Sequence, residues 1–158
     1  MNLFFPYPDI DRSVRALDDL RLNKQILECY QMVKVATGNS SGYATHPVIK
    51  HYCRYPLFVA RYGRECCYEY SVRSGKNHRL ASYFDMMVRI LPDVTPIVYL
   101  YAEYPVTDPR CIRETNTESV LRLFQEKLIR KWLADIEKGR PPRWTKRGAP
   151  EFWRNDRS

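Results

Sequence analysis

The chain has 158 residues, of which 44% are hydrophobic and 13% aromatic; this suits one folded domain, residues 1–158, and excludes a disordered protein. Its 26 lysines and arginines outnumber 18 acidic residues, so the net charge is +8 and the expected partner is a polyanion, nucleic acid before an anionic membrane. No apolar run approaches the roughly 20 residues of a membrane span, and the first residues lack the features of a secretory signal. We therefore expect a cytoplasmic protein with no membrane partner.

The chain holds five cysteines and three histidines. The number of cysteines is odd, and neither residue type has the spacing of a disulfide framework or a metal site. We therefore expect no bound metal, and reduced thiols that mostly fill the core. The cysteines are Cys29, Cys53, Cys66, Cys67 and Cys111, and the histidines are His46, His51 and His78.

Residues 1–8 contain two prolines, which block a helix and favour an extended segment. Asp9 or Asp11 can then cap a helix by accepting from the free N–H groups of its first turn. Helical periodicity follows over residues 11–36, in one piece or two. Its later part has an apolar stripe that should face the core and a polar stripe that should face outwards. The apolar stripe is Leu22, Ile26, Cys29 and Val33, and the polar stripe is Arg21, Lys24, Glu28 and Gln31.

Four more helices are predicted from apolar spacing and from glycine and proline breaks. They cover residues 46–55, 56–74, 78–90 and 115–137. Residues 91–114 are rich in proline and lack periodicity, so a long loop is predicted there, and the tail at 143–158 is basic and aromatic. No segment has a strand pattern. We predict an all-α fold, a compact single-domain helical bundle with an extended N-terminal segment.

The polar stripe offers the first candidate chemistry. Glu28 beside two cations can stay ionised and act as a base, while Arg21 and Lys24 can hold phosphates on either side of a target nucleotide. The alternative is a solvated helix face with charge pairs at helical spacing.

The start of the chain is the second candidate. An α-amine has a pKa of about 8, so the amine of Met1 is partly neutral and nucleophilic at physiological pH. Such an amine can attack C1′ of a nucleotide sugar, expel the base and form an imine. Every chain has an N-terminus, but this one is apolar and stiffened by proline, which favours docking.

Cations alternate with aromatic rings at residues 50–55, 73–79 and 143–148. In nucleic-acid-binding proteins the cations neutralise phosphates and the rings stack on unpaired bases. Ordinary protein surface is the alternative. The candidate DNA-binding residues in and around these stretches are His46, Lys50, Lys76, His78, Arg79, Trp144, Lys146 and Arg147.

Short motifs along nearly the whole chain give it a resemblance to a known family. They are Phe5-Pro6-Tyr7-Pro8-Asp9, Leu17-Asp18, Arg21-Leu22, Lys24-Gln25, Glu28, His46-Pro47, Tyr62-Gly63, Cys67-x-Glu69-Tyr70, Gly75-Lys76-x-His78, Trp144-x-Lys146-Arg147 and Pro150-Glu151-Phe152-Trp153. Through them the chain resembles small bacterial and phage members of the pyrimidine-dimer DNA glycosylase/lyase superfamily, which includes the phage endonuclease V.

The resemblance implies a single compact helical domain in which the N-terminal amine attacks C1′ and forms the imine. Residues 17–28 align without a gap with the family's catalytic helix, and this alignment places Glu28 at the position of the family's catalytic glutamate. In the family this glutamate assists opening of the sugar and the elimination that breaks the strand. Arginines and histidines of the family grip a kinked DNA backbone. Asn2 is too large for removal of the initiator methionine, so the reacting amine is expected to be that of Met1. Leu27 stands where endonuclease V has an arginine, and Lys24 is the expected substitute.

We therefore predict a DNA glycosylase with coupled abasic-site lyase activity on damaged or modified pyrimidines, acting on DNA, most naturally duplex, in a bacterial cell or a phage-infected host. The reaction is expected to need no metal, no organic cofactor and no obligate protein partner. Three alternatives remain open. They are a phage-type base-modifying enzyme that leaves the strand intact, a non-catalytic nucleic-acid-binding module, and an adaptor that binds another protein through the aromatic tail.

Overall fold

The structure is a computed structural model that describes residues 3–93 and 117–155. Within these residues the chain forms seven helices and no strand, so the predicted all-α fold is confirmed. The helices are α1 (Ile10–Ala16), α2 (Asp19–Ala36), α3 (Pro47–Tyr52), α4 (Pro56–Ser74), α5 (Ala81–Ile90), α6 (Thr117–Glu137) and α7 (Glu151–Asn155). Most of the loop predicted at 91–114 lies outside the described residues. None of the described helices is long and apolar enough to cross a membrane.

The helical stretch predicted at residues 11–36 is two helices. α1 begins after Asp9, whose carboxylate accepts a hydrogen bond from the backbone N–H of Arg12 at 2.6 Å, so the first of the two candidate caps is used. Leu17 has extended backbone angles (φ −68°, ψ 139°), which end α1 and separate it from α2. The predicted bounds of α4 are confirmed, and Gly75 follows it in the left-handed conformation (φ 72°).

The segment before α1 lies in the core. Leu3, Phe4 and Phe5 are all buried. The ring of Phe5 packs against Tyr62 of α4 at a centroid distance of 4.6 Å and against Phe124 of α6 at 6.1 Å. The Tyr62 hydroxyl donates a hydrogen bond to the backbone carbonyl of Phe4 at 2.8 Å. These contacts hold the start of the described chain between α4 and α6.

α2 packs against α4, and all four residues of its predicted apolar stripe are buried. The prediction that its polar stripe faces outwards was wrong for two residues, since Arg21 is only 9% and Glu28 only 7% exposed. α6 lies against this side of α2, where the Asp135 carboxylate contacts the Arg21 guanidinium. The pattern of one helix cannot reveal which other helix covers its polar face.

Gly63 allows α4 and α5 to approach each other closely. A Cβ atom at this position would lie 2.5 Å from Cζ of the buried Phe84 ring, closer than real atoms come. Gly63→Ala should therefore lower the free energy of unfolding by about 1–3 kcal/mol through overpacking, despite the better helix propensity of alanine. Urea denaturation measures the change. Gly42→Ala, whose Cβ would meet only Ser40 Oγ at 3.4 Å, is the matched control, and equal stability of the two variants would contradict the prediction.

The tail after α6 packs against the rest of the protein through aromatic rings. Trp132 of α6 is fully buried, and three rings pack around it. The centroid distances are 5.2 Å to Trp144, 5.8 Å to Phe152 and 5.2 Å to Trp153. The last two belong to α7, a short helix that the sequence did not predict. The tail is therefore part of the folded core.

A buried ion-pair cluster makes a second connection between the tail and α4. Nε and Nη2 of Arg147 donate to the two carboxylate oxygens of Glu69, each at 2.9 Å, and Nε of Arg73 donates to the same carboxylate at 2.7 Å. Burial raises the pKa of Glu69, but hydrogen bonds and positive charge from Arg147 and Arg73 outweigh it, and the net shift of this pKa is downward.

We expect this cluster to make the protein acid-sensitive. A carboxyl group with a lowered pKa in the folded state stabilises the fold above its unfolded pKa of about 4.3, and this contribution is lost as the pH falls through the folded-state pKa. The free energy of unfolding should fall as the pH drops below about 4.3, and Glu69→Gln should reduce that fall. Urea denaturation across a pH series measures both. Glu137→Gln, at an exposed position of α6, is the control, and a pH slope that is the same in both variants would contradict the prediction.

Candidate active site

A basic cavity of about 430 Å³ lies between the N-terminal segment, α2 and α6. It contains the catalytic glutamate predicted from the sequence, together with both cations of the predicted polar stripe. The lining residues are Phe4, Leu20, Arg21, Lys24, Gln25, Glu28, Lys127, Lys131, Asp135 and Arg140. Five of these carry a positive charge and two a negative charge, so the formal charge of the lining is +3 (5 − 2 = 3). Such a cavity attracts phosphate groups.

Gln25 connects the start of the chain to Glu28. The amide Nε2 of this buried side chain donates to Glu28 Oε2 at 2.9 Å, and its Oε1 accepts from the backbone N–H of Phe4 at 3.1 Å. Lys24 Nζ lies 3.9 Å from the other carboxylate oxygen of Glu28. The glutamate is thus oriented from one side by an amide and from the other by a cation.

The predicted nucleophile, Met1, lies outside the described residues. Phe4, three residues later, lines the cavity and is hydrogen-bonded to Gln25. Three residues span at most about 10 Å when extended. Phe4 is therefore within about 10 Å of chain length of the predicted nucleophile.

Arg21 holds α2 against α6. Its guanidinium pairs with Asp18 at 3.5 Å and with Asp135, and its Nη2 donates to the backbone carbonyl of Lys131 at 3.4 Å. Two carboxylates therefore already engage this arginine. Lys24, in contrast, keeps 64% of its side chain exposed at the mouth of the cavity, where a phosphate can reach it.

Sequence reasoning missed three cations of the cavity, Lys127, Lys131 and Arg140. The first two belong to a polar stripe of α6 with a spacing of four residues that continues to Asp135, and this periodicity could have been recognised. The sequence could not predict that Asp135 contacts Arg21. This contact orients the polar stripe of α6 towards α2.

Lys131 has a perturbed amine. It is half-buried, and its Nζ lies 6.0 Å from the centroid of the Phe4 ring. Burial and the charges of Lys24, Arg21 and Lys127 lower the pKa of Lys131, against a smaller opposing effect of Glu28.

The predicted DNA-binding residues of the tail make contacts within the protein and do not line the cavity. Trp144 Nε1 donates to the backbone carbonyl of Ala16 at 2.9 Å, Lys146 Nζ donates to that of Val72 at 3.1 Å, and Arg147 is engaged with Glu69. The tail residues through which the chain resembles the family are therefore also residues that attach the tail to the rest of the protein.

The remaining predicted DNA-binding residues also lie outside the cavity. The Nδ1 atoms of His46 and His78 each accept a backbone N–H two residues later, at 3.2 Å in both cases. Burial, with the charge of Arg79, lowers the pKa of His78, so this imidazole favours its neutral form. Lys50, Lys76 and Arg79 are exposed.

The described cysteines are free thiols, and burial dominates their chemistry. Burial raises the pKa of Cys29 and Cys66 well above the ordinary value, and that of Cys67 to about 12. Such thiols stay protonated and unreactive. Cys111 lies outside the described residues. In the part of the chain that the structure describes, no group of His, Cys, Asp and Glu could hold a metal ion.

A family model described as pyrimidine dimer DNA glycosylase matches residues 1–83, just over half of the chain. The chain belongs to the pyrimidine dimer DNA glycosylase family. Comparison with curated proteins and with solved structures gave no match. Membership of the family gives the protein the general function of a DNA glycosylase of DNA repair, with DNA as its substrate. The matched part contains Gln25 and Glu28, whereas α6 and its cations lie beyond it.

Proposed function

We propose that the protein is a DNA glycosylase with coupled abasic-site lyase activity on damaged or modified pyrimidines in duplex DNA, acting through an imine between the amine of Met1 and C1′ of the target sugar. One observation carries the proposal: the hydrogen-bonded connection from the backbone of Phe4 through Gln25 to Glu28, within a cavity of positive charge. It supports the proposal because Phe4, three residues after the proposed nucleophile, is joined through Gln25 to an oriented carboxylate.

In the proposed reaction the Met1 nitrogen forms a bond to C1′, and the base departs with the electron pair of the glycosidic bond. Glu28 moves the proton that lets the sugar ring open. The protonated imine then acts as an electron sink, so that Glu28 can remove a proton from C2′ while the 3′ phosphate leaves with the electrons of its C–O bond. Water hydrolyses the imine and restores the amine. No step needs a metal or an organic cofactor.

The cations of the cavity hold the DNA in this proposal. Lys24 and Arg140, both well exposed, neutralise phosphates that flank the target. Arg21 contributes positive charge from the wall, where it is paired with Asp18 and Asp135. Contacts further along the duplex are proposed for the other predicted DNA-binding residues. These are His46, Lys50, Lys76, His78, Arg79, Trp144, Lys146 and Arg147.

The proposal is tested with three labelled duplexes, one with a single pyrimidine dimer, one with an abasic site and one undamaged. The protein with its own start should break one glycosidic bond of the dimer and cut the first two strands, and a form with glycine and serine residues added before Met1 should no longer break that glycosidic bond. Cleavage of that glycosidic bond by the extended form would contradict the role of Met1. Binding to all three duplexes with every strand and base left intact would contradict the enzymatic function as a whole.

Gln25→Leu should lower the rate of base release by roughly a hundredfold, because a displacement of about 1 Å at the reacting groups has effects of that size. The substitution removes the hydrogen bonds to both Glu28 and Phe4. Single-turnover kinetics measure the effect. Gln31→Leu, at an exposed position one turn after Glu28, is the matched control and should stay near the wild-type rate. A Gln25→Leu rate as high as that of the control would mean that the connection is not needed.

A further inference from the structure

We propose that Lys131 is a second nucleophile of this cavity, whose Nζ forms an imine with the aldehyde of an abasic site independently of Met1. The inference rests on the proposed function in one respect, since it assigns the same DNA substrate to the same cavity. It adds a residue that lies outside the part of the chain matched by the family model.

Lys131 lies in the wall of the candidate active site. It lies on α6, and its side chain lines the cavity that also contains Glu28. Its Nζ is 6.0 Å from the centroid of the Phe4 ring, and the Phe4 backbone is joined through Gln25 to Glu28. The Arg21 guanidinium, which donates to the Lys131 carbonyl, holds the backbone at this point. A sugar that approaches Glu28 therefore enters a cavity that the amine of Lys131 also lines.

The surroundings of Lys131 favour a neutral amine. Its side chain is half-buried, and the nearest charges that act on it include three cations. Among the described residues no carboxylate forms an ion pair with its Nζ, since Glu28 is within 4 Å of Lys24 and Asp135 is engaged by Arg21. The lowered pKa of Lys131 agrees with this arrangement. A larger neutral fraction makes a lysine a better nucleophile towards a carbonyl carbon.

The step balances with water as the only other reactant. The ring-opened sugar of an abasic site presents an aldehyde at C1′. Nζ of Lys131 forms a bond to this carbon, and the carbonyl oxygen leaves as water, which gives a protonated imine. Glu28 removes a proton from C2′, and the 3′ phosphate leaves with the electrons of the C3′–O bond. Hydrolysis then releases the unsaturated sugar and restores the lysine.

A phosphate contact is the competing role for Lys131, and one substitution separates the two roles. Lys131→Arg keeps a positive charge that can bind phosphate, but a guanidinium stays protonated and cannot form the imine. Lys138→Arg is the matched control, since this lysine is exposed directly after α6 and does not line the cavity. If Lys131 only binds phosphate, the Lys131→Arg variant should be trapped on abasic DNA as efficiently as the control variant.

The experiment is borohydride reduction of the full-length protein on a duplex with one abasic site, followed by peptide mass spectrometry of the adduct. The wild-type protein should carry adducts at both the N-terminus and Lys131. The form extended before Met1 should keep the Lys131 adduct, and adding Lys131→Arg to it should lower total trapping by at least about tenfold. Lys138→Arg in the same extended form should leave trapping unchanged.

Each of the other outcomes supports or overturns the role of one of the two amines. Adducts at the N-terminus only, with none in the extended form, would overturn the role of Lys131 and leave the proposed function standing. Adducts at Lys131 only would support this inference and overturn the role of Met1. Trapping that persists in the extended Lys131→Arg form, or no adduct in any form, would overturn the inference. A further control excludes the explanation that the added residues distort the cavity. The same peptide mapping is made on the wild-type protein, in which the Lys131 peptide must also carry the reduced adduct.

Discussion

Glu28→Gln should abolish most of the catalysis, with the rate of base release and strand cleavage lowered by about 10²–10⁴-fold, the usual contribution of a positioned acid–base group. The carboxylate is only 7% exposed and is oriented by the amide of Gln25 and by Lys24. Glutamine has the same shape, so it can keep these neighbours, but it cannot take up the proton from C2′. Single-turnover kinetics on a dimer-containing duplex measure the loss.

Binding provides the internal check on this variant. Removal of one negative charge from a cavity of formal charge +3 should leave DNA affinity unchanged or raise it. Glu137→Gln changes the net charge by the same amount at an exposed position of α6 and should keep the wild-type rate. If Glu28→Gln retained a rate within a factor of about three of the control, acid–base work would have to lie elsewhere.

Trp132→Ala should have the largest effect on stability, with a loss of about 3–5 kcal/mol in the free energy of unfolding. The indole is fully buried among the rings of Trp144, Phe152 and Trp153. Its Nε1 also donates to the buried carboxylate of Asp18 at 2.7 Å. The substitution therefore opens a cavity and leaves an acceptor without its donor. Urea denaturation measures the loss.

Two further variants separate the loss of ring packing from the loss of the hydrogen bond to Asp18. Trp132→Phe keeps most of the ring packing and should lose about 1–3 kcal/mol, the cost of an unsatisfied buried acceptor at Asp18. Leu133→Ala, the next residue on α6, is 42% exposed and should change stability by about 0.5 kcal/mol or less. A stable Trp132→Ala protein, close to the Leu133→Ala control, would show that the tail does not depend on this indole.

Features set by neighbouring residues could be predicted from the sequence. The periodicity of α2, the cap at Asp9 (one of two candidates) and the end of α4 at Gly75 all depend on a few consecutive residues, and the structure confirms them. The position of Glu28 on a polar stripe of α2 follows from the same local rule.

Features set by distant residues could not be predicted. Arg21 is buried because it meets Asp135, more than a hundred residues later, and Arg147 contacts Glu69 across a gap of 78 residues. A cation looks the same in a sequence whether it binds phosphate or a carboxylate of its own chain. The basic tail was interpreted as a DNA-binding segment, and the sequence alone could not show that its described side chains also attach it to α1 and α4. Lys131 was missed for the same reason.

The central claim is that the amine at the start of the chain and the carboxylate of Glu28 work in one cavity. The most direct measurement is a crystal structure of the borohydride-trapped complex with abasic DNA, made with Lys131→Arg so that only the N-terminal amine can react. The account predicts C1′ bonded to the Met1 nitrogen, with a Glu28 oxygen about 3 Å from the reacting sugar or bridged to it by one water. A separation of more than about 10 Å between the Met1 nitrogen and Glu28 would contradict it.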